Sequence, residues 1–599
     1  MPSLRRPREP RLGECCGSGC ARCVWDVYYD ALEAYEEKKR TMDPADLEEE
    51  EEEEDSSSLS DASSAESDYI GSVVVKFIPQ PDERMATLNI TKSMDKFVKK
   101  FDYIPIEKVN HIRQSALPEG HTTTSPIHIT DLHSKLPFTS PVAGDVVEVF
   151  MPNLPLTDPR GSDSVTDLCR ALGIEPDSWC ELYKSPFVPE GHFPPWLPLR
   201  EPMTVRQLLT FYVDISSCSY LLRPSFFQSL LRIHQNNARK RQQQDDHNYE
   251  HLVTLLETCA SDEKGPAIFR SLMNSGKALC YPCLTDVLHA FPFIKVPLDR
   301  MLEMCSPLRA RKFSVADYEM DSSGKCSALQ ICFRENVVDR SYNLSQCTPT
   351  GTTKEVAELF NGIAYKRGAD NFLGHVTYRL SRTSINWQGK GNSHVHSLLA
   401  AYSGGYVGTS FFGKTPFALG LERSIRTIAS THSPRLVLLG AGTGIAPLMA
   451  AVSQLRLLRR QHLSEHTNPF PCSVIYGARN MSELIYHDDL SEALRIGAID
   501  QYQFCLSRPQ VTAATGVAHR YVTDILKKDA HAVNHLLTEG DGKFFACGPT
   551  KVLQSVRSCL ANDILGEADD DDSMREQRLL FMEGKGQLFF DVWSTMSVF

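Results

Sequence analysis

The stretch Leu436-Val-Leu-Leu-Gly440-Ala-Gly442-Thr443-Gly444-Ile-Ala-Pro447 decides the fold. A short aliphatic run ends in closely spaced glycines and then enters a helix-compatible segment. Uninterrupted apolar residues suit a strand buried on both faces. Glycines at its end let the backbone approach a pyrophosphate, and a helix start beyond them favours the negative charge. The spacing is not G-x-G-x-x-G, and a Gly-rich core turn would carry similar letters. Three more apolar runs follow, Ser473–Tyr476, Gln503–Leu506 and Lys543–Ala546, with helical stretches between them. That alternation predicts a parallel sheet covered by helices.

Each strand end brings a reactive or polar side chain to one sheet edge. Ile475-Tyr476-Gly477-Ala478-Arg479 closes the second strand and Leu506-Ser507-Arg508 the third. A hydroxyl beside a guanidinium can hold a phosphate, although either group also serves as ordinary surface polarity. Phe544-Phe545-Ala546-Cys547-Gly548-Pro549 puts Cys547 where open α/β sheets bind ligands, a position that packing alone would also allow.

Outward from this unit, the chain of 599 residues is 42% hydrophobic and 23% charged, enough for roughly three or four domains. Its net charge of -12 is local: thirteen acidic residues and no Lys or Arg lie between Asp43 and Asp68. The remainder is near neutral, so no basic footprint argues for nucleic acid. No run of about twenty apolar residues predicts a transmembrane segment. Eighteen irregularly spaced cysteines without a secretory signal fit reduced thiols and a cytoplasmic location. The arginines at 5, 6, 8 and 11 leave a mitochondrial presequence open.

The composition predicts a Cys-rich module at residues 1–40 and a disordered acidic linker at 41–68. Strands are expected at Tyr69–Ile78 and Asp145–Phe150, and a capped helix at Thr166–Gly173. Residues 204–300 carry helical periodicity at Val205–Val213, Ser225–His234, Tyr249–Leu256, Leu284–Ala290 and Leu298–Met304. Thr348-Pro-Thr-Gly351-Thr-Thr-Lys-Glu-Val-Ala357 has the letters of a phosphate loop. No strand leads directly into it, so an insertion with a helix cap is expected. Cys15, Cys16, Cys20 and Cys23 suit zinc, an iron–sulfur cluster, redox thiols or a packed hairpin. The Cys16-x3-Cys20-x2-Cys23 spacing also occurs in radical S-adenosylmethionine enzymes, but nothing downstream resembles their barrel.

The order of these pieces, with Phe590-Asp591-Val592-Trp593-Ser594 at the end, resembles the ferredoxin–NADP reductase-type flavoproteins, above all the diflavin reductases. Pro141-Val-Ala-Gly144-Asp145 resembles their barrel turn, and Met203 to Asp214 the start of their helical connecting domain. Arg311-Lys312-Phe313-Ser314 resembles their flavin motif with Phe in place of Tyr. Gly374-His375-Val376-Thr377 resembles their flavin-pyrophosphate loop. The segment Cys15 to Tyr28 resembles a small oxidoreductase-like module that precedes some cytochrome-b reductase-like proteins.

The resemblance implies a β plus α/β architecture. An FAD-binding antiparallel barrel would span 69–165 and 300–405, a helical connecting insert 166–299, and a Rossmann-like NADPH domain 406–599. It also implies roles. Arg311 and residues 374–377 would hold the FAD pyrophosphate, Phe313 would pack on the flavin, and Ser314 would lie near its N5. Gly440, Gly442, Thr443 and Gly444 would cradle the NADPH pyrophosphate. Ser507, Arg508 and Tyr521 would hold the 2′-phosphate, His519 standing where the family has lysine. Trp593 would cover the flavin and move aside for nicotinamide, which must approach to about 3–3.5 Å. Cys547 and Asp591 would orient the nicotinamide. Thr595 to Phe599 extend past the tryptophan at which most relatives end.

Two functions follow as expectations. The first is an FAD enzyme that takes hydride from NADPH and passes single electrons to a separate redox protein: haem, iron–sulfur or flavodoxin-like. One flavin is expected, since only 68 residues precede the barrel, and no His-Pro-Gly-Gly haem pocket is present. The alternative is a catalytically degenerate scaffold, motivated by Phe313, His519 and the extension.

Overall fold

The computed structural model describes residues 71–116, 125–153, 164–187, 193–216, 220–238, 247–273, 280–339, 350–368, 371–382, 394–431, 433–461, 468–508, 520–567 and 570–593. Four sheets organise them.

A small sheet joins β1 (Val73–Ile78), β6 (Trp179–Lys184) and β7 (Met203–Thr204). A curled antiparallel sheet runs in the order β2 (Tyr103–Pro105), β12 (Tyr406–Gly408), β5 (Val146–Phe150), β8 (Arg311–Met320), β9 (Cys326–Arg334), β4 (Ile127–Phe138) and β3 (Lys108–Gln114). Its two edge strands, β2 and β3, are consecutive in sequence, so the sheet curls back towards itself. The Glu107 N–H, between these two strands, donates to His133 O of β4 at 2.8 Å and extends the β3–β4 ladder. A hairpin pairs β10 (Val337–Asp339) with β11 (Asn371–Leu373). The fourth sheet is wholly parallel, in the order β15 (Gln501–Leu506), β14 (Cys472–Ala478), β13 (Leu436–Ala441), β16 (Lys543–Pro549) and β17 (Leu588–Trp593).

The parallel sheet forms because β13 and β14 are buried along their whole length, as their apolar letters require. Helices Pro416–Thr431, Ala446–Gln461 and His487–Arg495 cover one face, with Leu421, Leu448 and Leu490 in the core. Helices Val522–Lys528, Ala530–Thr538 and Thr550–Cys559 cover the other, through Ile525, Leu537 and Val556. The first core also holds Ala143, Ala316 and Cys332 from the curled-sheet side. The two sheets therefore share one apolar contact region. The Ser453 hydroxyl donates to Asp317 Oδ2 at 2.9 Å and Arg113 Nη1 to Asp489 Oδ2 at 2.9 Å across the same junction.

A separate core gathers the expected helices, observed as Ser164–Leu172, Val205–Phe211, Pro224–Ala238, His247–Ala260, Leu284–Ala290 and Leu298–Met304. β1 pairs with β6 rather than with the curled sheet, and Val73 is buried among the helices. The stretch around Gly351 is a helix, Gly351–Lys366, whose Val356, Ala357 and Phe360 join that core. It is an insertion between β10 and β11, as expected. Helix Glu83–Lys100, capped by the Asp82 side chain on Met85 N, had no counterpart in the sequence reading.

Arg379 shows how tightly the curled sheet is tied. It is 0% exposed and donates to Pro152 O at 3.0 Å and Ser403 O at 2.6 Å. Burial pushes its guanidinium down to about 9. Arg379→Met should leave both carbonyls without this donor and cost about 3 kcal/mol, read as a lower urea midpoint with an unchanged slope.

Candidate functional site

The carboxyl ends of β13, β14, β15 and β16 surround a cavity of about 670 Å³. It lies where strand order reverses between β13 and β16, the place at which open α/β sheets bind ligands. Gly442, Thr443, Ser507 and Tyr521 all line it, so four residues named from sequence meet at one site. Gly442 has φ +59, and a Cβ there would meet nothing within 4 Å. Its backbone therefore faces open space in a conformation that favours glycine.

Gly440 and Gly444 serve differently. A Cβ on Gly444 would lie 2.4 Å from Cys547 O and 2.7 Å from Gly548 Cα; one on Gly440 would lie 2.8 Å from Ile445 Cα. Gly444 lets the turn pack against β16, Gly440 lets Ile445 pack back on β13, and neither lines the cavity. Arg508 does not line it either: it is exposed, and its N–H donates to Arg479 O at 2.7 Å. Arg520 does line it. Its Nε points at Ser507 O, 3.4 Å away, and its guanidinium lies 5.4 Å from the Tyr521 ring. His519 lies outside the described residues.

Among the described residues, the cavity wall carries Arg334, Arg479, Arg520 and Lys551 against the single carboxylate of Glu483. An excess of positive charge beside an open glycine turn suits a ligand with several phosphate charges. Sequence reading missed Lys551, which a strand-end search beyond Pro549 would have found. It also missed Arg334 and Glu483, which come from β9 and the turn Met481–Glu483 and carry no motif.

Cys547 and Asp591 face each other on β16 and β17, the thiol 3.5 Å from Asp591 Oδ2. Burial pushes the Asp591 carboxyl up, partly offset by the hydrogen bond from Cys547. Trp593 ends β17 in register with Pro549, which puts it at the same sheet edge.

On the curled sheet, Arg311, Phe313 and Ser314 lie on β8 in register with Val149, Val147 and Val146 of β5. The half-buried Phe313 ring stands edge-on to Phe333, centroids 5.9 Å apart. Gly374 caps helix His375–Leu380, and its N–H donates to Asn336 O at 2.6 Å. The Thr377 hydroxyl accepts from the Asn336 N–H at 3.1 Å. His375 Nε2 donates to Met151 O at 2.7 Å. Burial holds the His375 imidazole down at about 4, with Arg379 and Arg311 adding to the effect. Arg311 thus lies close to the Gly374–Thr377 turn, with Val376 buried beneath it.

Cys15, Cys16, Cys20 and Cys23 lie outside the described residues. Among the described residues, no group of three or more His, Cys, Asp or Glu is arranged to hold a metal ion. No helix among them is long and apolar enough to cross a membrane.

Comparison with known proteins agrees with this geometry. Residues 438–558 match the family described as "Oxidoreductase NAD-binding domain", and residues 3–43 match "Oxidoreductase-like protein, N-terminal". The chain is 22% identical to methionine synthase reductase of Bos taurus over 57% of its own length and 43% of the relative's. It is 22% identical to NADPH–cytochrome P450 reductase of Rattus norvegicus, over 66% and 46%. With nitric oxide synthase of Drosophila melanogaster it shares 21%, over 89% and 33%. The chain thus spans less than half the length of each of these relatives. In sheet order, cavity position and relatives the chain is similar to the ferredoxin–NADP reductase-type oxidoreductases, and residues 3–43 are similar to an oxidoreductase-like N-terminal module.

Proposed function

We propose that the chain takes hydride from NADPH onto FAD and passes electrons singly to a separate redox protein. The observation that carries this reading is the cation-rich cavity at the switch point of the parallel sheet, floored by Gly442 and Thr443. FAD supplies the chemistry of accepting two electrons together and releasing them one at a time. The residues of β8 fit such a group: a cation at Arg311, a half-exposed ring at Phe313 and a hydroxyl at Ser314, with a helix start at Gly374 nearby.

The chain's own residues have these parts. Arg311 and the Gly374–Thr377 turn, with His375 and Val376 between them, hold the flavin pyrophosphate. Phe313 packs on the isoalloxazine ring and Ser314 hydrogen-bonds near its N5. Thr443 and the Gly442 backbone receive the NADPH pyrophosphate, a turn that Gly440 and Gly444 make possible. Ser507, Tyr521 and Arg520 receive the 2′-phosphate. Cys547 and Asp591 orient the nicotinamide, and Trp593 excludes water until it arrives. The acceptor is a haem, iron–sulfur or flavodoxin-like protein. The acidic tract Asp43 to Asp68 steers a basic one at a salt-dependent rate.

The test is an anaerobic trace of the flavin band during addition of NADPH and then NADH. Fast bleaching by NADPH and slow bleaching by NADH is the expected result. A purified protein without flavin, or a bound flavin that neither nucleotide reduces, would leave the scaffold reading instead. In the same assay Arg520→Ala should raise the NADPH half-saturation roughly thirtyfold, the loss of one charge-assisted contact. NADH should be unaffected, and Arg508→Ala should change either value less than about threefold.

A further inference from the structure

We propose that Glu483 is the shared counter-ion of a clasp between the two sheets. The clasp leaves one excess positive charge at the nucleotide cavity and points Arg479 into it. This inference rests on the reading of that cavity as the NADPH site.

The geometry is specific. Arg334, from β9 of the curled sheet, places Nη1 and Nη2 at 3.2 and 2.9 Å from Glu483 Oε1 and Oε2. Arg479, at the end of β14 in the parallel sheet, places Nε at 2.8 and 3.0 Å from the same two oxygens. Glu483 is only 4% exposed, and the two guanidiniums hold its carboxyl below the ordinary range against the effect of burial. Two planar forks thus share one buried carboxylate.

The two arginines are not equivalent. Arg334 Nη1 is also fixed to Ser125 O at 2.7 Å, so it belongs to the curled sheet on both sides. The Arg479 side chain keeps 31% of its surface exposed and lines the cavity with Gly442 and Ser507. One carboxylate neutralises one guanidinium. The surplus charge is therefore shared by two arginines that both line the cavity, Arg334 with 25% of its side chain exposed and Arg479 beside the glycine turn. The clasp also fixes the pocket wall to the sheet that carries Arg311 and Ser314. Anion binding and sheet alignment then both depend on the Glu483 carboxylate, which is committed to the two guanidiniums. Glu483 is a positioning residue, while Arg334 also contributes its charge to the cavity wall.

Charge counting gives a test that a merely structural role would fail. At the clasp the wild type carries a net charge of +1, Arg334→Met 0, and Glu483→Gln +2. The double variant returns to +1. Isothermal titration with NADP+ should show roughly tenfold weaker binding for Arg334→Met and binding at least as tight as wild type for Glu483→Gln. The double variant should bind within about threefold of wild type. Glu483→Gln should nonetheless lose roughly tenfold or more in the limiting rate of flavin reduction, because Arg479 is no longer aimed. Tight binding with slow reduction is the signature of lost positioning. If both single variants weaken NADP+ binding alike, or neither changes it, the clasp is only a structural tie and the inference fails. Should Glu483→Gln not fold, Arg334→Met and the double variant still decide the matter by their order. A wild type that binds no NADP+ would overturn the reading of the cavity itself, an outcome distinct from either.

Discussion

Gly444→Ala is expected to abolish nucleotide binding and to cost about 3 kcal/mol of stability. The added Cβ would fall 2.4 Å from Cys547 O and 2.7 Å from Gly548 Cα, well inside contact distance. The obstacles are backbone atoms of β16, a strand hydrogen-bonded on both sides, to β13 and β17. Relief would require β16 to move within the sheet or the turn Gly442–Ile445 to lift away from it. Lifting the turn would displace the backbone that faces the cavity. Gly442→Ala is the control. Its Cβ would enter open space, so the cost is about 1–2 kcal/mol of backbone strain at φ +59, with the fold kept. Urea midpoints and NADP+ titrations of the two variants separate close packing from conformational freedom. A Gly444→Ala protein with the wild-type midpoint would show that β16 does not press on the turn.

This difference between neighbouring glycines marks the limit of what the sequence conveys. The letters around Gly440 to Gly444 announce a strand, a tight turn and a helix, and all three are present. They do not say which glycine faces a ligand and which faces a neighbouring strand, because that depends on β16, about a hundred residues away. The parallel sheet was legible for the same reason that its core is dry: β13 and β14 are apolar throughout and buried throughout. Arg311, Phe313 and Ser314 stand together in the sequence because they lie on one strand.

The rest was hidden by distance in the chain. Arg334 and Glu483 are 149 residues apart and meet only because the curled sheet docks on the parallel one. Either residue alone reads as surface charge. Arg508 and Arg520 show the converse. The dipeptide Ser507-Arg508 is the better motif, yet the backbone leaves β15 so that Arg508 is exposed and Arg520 comes back to Ser507. A β-branched run such as β1 specifies a strand but not its partner, which here is β6.

Asp591→Asn should make the protein more stable and slower at once. Asp591 stands opposite Cys547, whose thiol is its hydrogen-bond donor at 3.5 Å. Burial pushes its carboxyl above the ordinary carboxylate range, and the thiol offsets only part of that. A carboxyl raised in the folded state costs nothing at acid pH, where it is protonated whether folded or not. As pH climbs through its folded value the unfolded chain ionises more readily, and stability falls. The asparagine variant, which never ionises, should therefore match the wild type at acid pH and melt at a higher temperature at neutral pH. The burial of this carboxylate has a chemical rationale in the proposed reaction. When hydride leaves NADPH, the nicotinamide ring becomes cationic, and a fixed negative charge beside it lowers the barrier. Flavin reduction should accordingly slow by roughly a hundredfold in Asp591→Asn, with NADP+ affinity changed by less than about threefold. Melting curves at acid and neutral pH and a stopped-flow reduction trace measure both halves. A variant that reduces flavin at the wild-type rate would remove Asp591 from the reaction. One that melts lower at neutral pH would mean that the ionised carboxylate stabilises the fold, through contacts stronger than the single weak thiol bond.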